Sequence, residues 1–116
     1  MLKNMRTQMI SLACIVAASS LQPVFAQTVG SAGTISQVSA GWTSATFGVT
    51  TTAPFLNPAG CTSTDMYEVS EANDSGYSTY YAAVLTAYST GSQIKVVVSN
   101  TVCTMTRPTI IGIYII

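Results

Sequence analysis

The chain has 116 residues, of which only 7% are charged, with four basic and four acidic side chains and no histidine. So few cations cannot supply the clustered Lys and Arg that nucleic acid demands, and they form no polybasic membrane patch. The missing imidazole removes the commonest general base and a frequent metal ligand.

The first 26 residues read as a secretory signal peptide. Lys3 and Arg6 form a positive start, Met9 to Ala18 is an apolar run too short to span a bilayer, and Pro23 precedes Val24-Phe25-Ala26, which places small residues at −3 and −1 of a cut before Gln27. A lipoprotein anchored at Cys14 fits less well, because Ser11 stands where a lipobox wants leucine. The expected mature protein, secreted or periplasmic, is the 90 residues from Gln27 to Ile116. Its two cations, Lys95 and Arg107, face four acids, Asp65, Glu68, Glu71 and Asp74, and many Ser, Thr and Tyr. Such a surface has little electrostatic protection against self-association.

Residues 27–33 read as a flexible lead-in and 34–116 as one domain. Thr34 to Ala40 alternates as a first strand. Thr43 to Thr52 follows as a second, with Ala45, Phe47 and Val49 on one face. Gly41-Trp42 between them is a tight connection or a bulge, so the two strands are expected to form a hairpin. Pro54, Pro58 and Gly60 break the chain into a loop. Thr64 to Glu71 gives a third strand, with Tyr67 and Val69 on one side.

Residues 77–91 carry a helix, since Tyr77, Tyr80, Tyr81, Val84, Leu85 and Tyr88 fall at i, i+3, i+4, i+7, i+8 and i+11. Asp74 and Ser75 offer N-capping oxygens, and Gly91 suits a left-handed end. Gln93 to Asn100 then forms a strand with Ile94, Val96 and Val98 inward. Thr109 to Ile116 forms the last, apolar on both faces.

The expected class is therefore mainly β with one helix, in the order β-β-β-α-β-β. That is the order of the OB-fold, a five-stranded Greek-key barrel. Cys61 and Cys103 pair as a disulfide on this reading: export and an even count favour it, and the loops that carry them can share one end of a barrel. A metal on two thiols lacks further ligands.

The segments Tyr80-Tyr-Ala-Ala-Val-Leu-Thr-Ala-Tyr-Ser-Thr-Gly91 and Gln93-Ile-Lys-Val-Val-Val98, followed by Cys103, resemble the binding subunits of AB5 toxins of the subtilase-cytotoxin and pertussis-like typhoid-toxin type. Gly33-Thr-Ile35, and Cys61 after a Pro-containing loop, fit the same layout. The resemblance implies an OB-fold protomer in a ring of five with the helices lining the pore. It further implies recognition of sialylated or other cell-surface glycans, and a separately encoded enzymatic subunit as partner. The serine-bearing N-terminal segment that contacts sugar in that family has no match in residues 27–33, so no glycan-contacting residue carries over.

From the residues themselves, catalysis is disfavoured and no cofactor or metal is expected. Glu68 and Glu71 are three apart near a strand end and point to opposite faces, which does not suit a glycosidase pair. The acids from Asp65 to Asp74 lack EF-hand spacing and read as a solvated loop that caps the helix. Tyr77, Tyr80, Tyr81 and Tyr88 belong to the core stripe, yet a stripe this wide can serve two surfaces. Tyr77, Tyr81 and Tyr88 are accordingly the candidate oligomer interface. Trp42, the single tryptophan, is the candidate ligand-binding residue, since a loop indole stacks on sugars, although a plug for the end of a small barrel is the favoured reading of it. The expected function is a secreted binding module, with cell-surface carbohydrate as ligand and a homo-oligomer as its working form. The competing expectation is an envelope structural or assembly protein that pairs Ile110 to Ile116 with a partner chain.

Overall fold

A computed structural model describes residues 26–41 and 44–116. The expected signal peptide and Trp42 lie outside the described residues. The strands are β1 (Gln27–Val29), β2 (Gly33–Ala40), β3 (Thr46–Thr51), β4 (Tyr67–Ser70), β5 (Gln93–Thr104) and β6 (Arg107–Ile115), with one helix, α1 (Tyr77–Thr90), between β4 and β5.

The sheet closes on itself. β2 pairs with β3, β3 with β4, β4 with β6, β6 with β5, and β5 with β2. All contacts are antiparallel except β4–β6, which meet in parallel at Glu68 and Thr109. This is the five-stranded barrel with a helix between its third and fourth strands that the element order anticipates.

The sixth strand is the departure. Residues 27–33, read as a lead-in for their Gly and Ser content, instead hold β1, which pairs Gln27, Thr28 and Val29 with Ser99, Val98 and Val97. The Gly30 N–H donates to the Val96 carbonyl at 2.8 Å, and Gly33 then pairs with Ile94. β1 and β2 thus run along the same edge of β5 as one strand interrupted at residues 30–32. Backbone pairing decides this segment, and side-chain pattern says little about it.

Phe47, Val49, Tyr67, Val69, Ile94, Val96, Val98 and Ile110 fill the barrel, and Val84 and Ala87 of α1 close one end. Apart from Ile110 and Ala87, these are positions read from the sequence as buried, whereas Ala45, read with them, lies exposed before β3. α1 ends as expected: Gly91 sits at φ 66°, a left-handed conformation without penalty for glycine, and the Ser92 N–H donates to the Ala87 carbonyl at 3.0 Å. Its start differs. Gly76 is the N-cap residue and no side chain caps there. The Asp74 carboxylate is engaged elsewhere, accepting the Ser70 N–H at 2.8 Å.

Cys61 and Cys103 form the expected disulfide, with Cα atoms 5.8 Å apart and a sequence separation of 42. Cys103 lies inside β5, which extends to Thr104, and not in a loop. Local contacts position Cys61. The Asn57 side chain accepts the Cys61 N–H at 2.7 Å and donates to the Cys61 carbonyl at 2.8 Å. The Tyr67 hydroxyl accepts the Leu56 N–H at 2.8 Å, and the Phe55 ring stacks on Tyr67 at 4.7 Å. The Pro-containing loop is thus fastened to the barrel, and the bond fits an oxidising, extracytoplasmic compartment. Replacing Cys61 and Cys103 together by alanine should lower the unfolding free energy by about 4 kcal/mol, the loop-closure value for this length. Denaturant melts check this, with the reduced wild type shifted like the variant; identical midpoints would contradict it.

Candidate functional site

The loop end of the barrel is built by Gly41, Thr46 and the β4–α1 connection. Gly41 takes φ 95°, which a side chain would resist. Its N–H donates to the Thr46 carbonyl at 2.9 Å, and the buried Thr46 hydroxyl donates back to the Gly41 carbonyl at 2.8 Å. These two bonds tie Gly41 to Thr46. The Glu71 N–H donates to the Ala45 carbonyl at 2.9 Å, which sets the acidic connection beside Ala45.

The acids do not form the solvated run the sequence suggests. Arg107, at the start of β6, grips Asp65 with two hydrogen bonds of 2.7 and 3.0 Å and donates a third to Glu68 at 2.9 Å. Glu68 is only 2% exposed, whereas Asp65 stands in solvent. A buried carboxylate survives only when hydrogen-bonded and neutralised, so Arg107 belongs to the fold more than to a site. The Arg107 guanidinium holds the Asp65 carboxyl below its usual 3.8, and in turn Asp65, then Glu68, push the arginine further up. Asp74 is engaged with Ser70, and Glu71 is left exposed. Among the described residues, no group of three or more His, Cys, Asp and Glu side chains gathers to hold a metal.

The tyrosines divide. The rings of Tyr77 and Tyr81 pack on Phe47, at centroid distances of 5.4 and 4.9 Å, and lie 5.9 Å from each other. Burial, then Tyr81, then Glu71 raise the Tyr77 phenol above its usual range. Tyr80 is half-buried and donates its hydroxyl to the Ile111 carbonyl at 2.8 Å. Tyr88 is different: it is 46% exposed, with Leu85 one turn before it also exposed. The inward stripe ends on Val84 and Ala87, which turns Tyr88 and Leu85 outward. Of the three candidate interface residues, Tyr77 and Tyr81 therefore sit together on the barrel and Tyr88 faces away. The expectation that Tyr88 joins the core stripe is corrected.

A cleft of about 400 Å³ opens on the outer sheet, lined by Val29, Lys95, Tyr114, Ile115 and Ile116. Register places Lys95 directly opposite Tyr114. Lys95 forms no ion pair among the described residues. Sequence reasoning missed this cleft because Val29 was assigned to the lead-in; only the pairing of β1 with β5 brings it there. Ile116, whose N–H donates to the Gln93 carbonyl at 2.9 Å, completes the wall just past the end of α1.

Among the described residues no helix is long and apolar enough to cross a membrane. No protein-family model and no curated protein matches the chain.

Two outcomes follow from the Arg107 cluster. Arg107→Ala strands Glu68 in the interior and should cost about 3 kcal/mol in a denaturant melt. The folded Asp65 carboxyl titrates below its unfolded value, so its stabilisation is present above pH 3.8 and is lost as pH falls through the lowered folded value. The stability difference between wild type and Asp65→Asn should accordingly be flat near neutrality and vanish in acid. A gap that widens on acidification would contradict the assignment.

Proposed function

We propose that this chain is an exported, non-catalytic binding module that works as a homo-oligomer and takes cell-surface carbohydrate as its ligand. The observation that carries the reading is the division of α1. One side, with Tyr77, Tyr81, Val84 and Ala87, is used by the barrel, while Leu85 and Tyr88 stand outward on a protein with very few charges. Exposed apolar groups of this size suit contact between subunits. The disulfide supports export, and the OB topology is one that binds sugars through its loops.

The resemblance to the binding subunits of AB5 toxins of the subtilase-cytotoxin and typhoid-toxin type points the same way. It makes a ring of five, with α1 toward the pore, the preferred assembly, and a separate enzymatic polypeptide the preferred partner. Trp42, next in sequence to Gly41, is the proposed stacking surface for sugar. Weak single sites then become effective by multivalency, since several loops point toward one cell surface.

A second reading has its own observation. β6 meets β4 at Glu68–Thr109 only, so beyond that bridge this edge of β6 has no strand beside it among the described residues. An envelope assembly protein would add a partner strand there.

Sedimentation of residues 27–116 at tens of micromolar should give a discrete multiple of the protomer mass, reduced by Tyr88→Ser. A glycan array should show binding that Trp42→Ala weakens by at least about tenfold, as loss of a stacking aromatic would. A monomer that binds no glycan would overturn the proposal. Mass that grows without limit, or appears only with a second chain, would favour the edge-strand reading.

A further inference from the structure

Lys95 and Arg107 are the two cations among the described residues, and Arg107 is engaged by Asp65 and Glu68. Lys95 is left alone in a cleft whose other walls are Val29, Tyr114, Ile115 and Ile116, with Val29, Tyr114, Ile115 and Ile116 about half exposed or more. Of the four acids, Asp65 and Glu68 hold Arg107 and Asp74 holds the Ser70 N–H. Glu71 remains, exposed, with no side-chain partner among the described residues, beside Tyr77.

These two side-chain charges, unmatched among the described residues, cannot meet within one chain. Glu71 precedes the N-terminus of α1 and Lys95 follows its C-terminus, and a helix of 14 residues is about 20 Å long. We infer that the Lys95 cleft docks a second copy of this chain, whose Glu71 end meets the ammonium in a head-to-tail contact. Using two different surfaces, such a contact is heterologous, so it generates a closed ring when its rotation permits. The apolar walls supply the area, and the ion pair fixes register and orientation. A stable interface needs about 800 Å² from each partner, so the contact must extend past the five lining residues over the neighbouring sheet.

This inference rests on the homo-oligomer reading and names the surfaces that build it. Sedimentation of the wild type, Lys95→Glu, Glu71→Lys and the double exchange tests it, with 0.5 M NaCl as a further arm. Both side chains are exposed, so thermal melts of each variant at low concentration should match the wild type and show that the fold is intact. Each single reversal should weaken self-association by at least about tenfold. The double exchange should restore it, and salt should weaken the wild type. A wild type that stays monomeric overturns the oligomer reading and this inference together. A wild type that associates while both single variants keep its mass overturns the Lys95–Glu71 contact alone and assigns the cleft to another partner. Single losses without rescue by the double exchange also overturn the contact.

Discussion

The barrel depends on one strand being paired along both edges. β5 carries β1 and β2 on one side and β6 on the other, so the first, fourth and fifth walls of the barrel exist only while it holds. Twelve residues would be too stiff to serve that geometry as a flat strand. Its pairing with β6 shifts register at Val97/Val98 and again before Cys103, and such irregularities bend a strand and raise its twist. Ile94 and Val96 ahead of the first irregularity, and Val98 just after it, belong to the buried core. The left-handed Gly91 directs the chain from α1 straight into this strand, and the disulfide ties its far end to the loop before β4.

The surfaces follow from that closure. With the barrel closed, the surfaces left for ligands and partners are the loops, the outer faces of strands, the outer side of α1 and the edge of β6 beyond Thr109. Charge then selects among them. Arg107 of β6 binds Glu68 of β4 and the exposed Asp65 before it, and so makes a buried carboxylate tolerable. That leaves an exterior with few charges and with exposed Tyr88, Tyr114, Ile115 and Ile116, which the proposed self-association would cover. Glycan recognition by Trp42 remains the proposal that gives such an assembly a purpose.

Much of the fold was legible because burial imposes period. Phe47 and Val49, Tyr67 and Val69, and Ile94, Val96 and Val98 all alternate, and each set lines the barrel. The helix was equally clear, and its glycine end with it. The failures share a cause: they concern groups whose role is set by partners distant in sequence. β1 is invisible without β5, since three residues around Thr28 have no pattern of their own. Glu68 reads as a surface acid until Arg107, 39 positions later, is placed beside it. Tyr88 shares the helical spacing of the core residues, but the barrel end covers only the side of α1 that carries Val84 and Ala87. Asp74 has the right chemistry for a cap, yet the Ser70 N–H reaches it first. The Lys95 cleft needed all of β1, β5 and β6 to be seen.

Hydrogen exchange on residues 27–116, run at low and high protein concentration, tests the central claim most directly. If β5 is the shared wall, amides from Ile94 to Val98 are the slowest to exchange at both concentrations, and β1 and the end of β6 gain protection only at the higher one. Fast exchange across β5, with protection confined to α1 and the β2–β3 hairpin, would contradict the account.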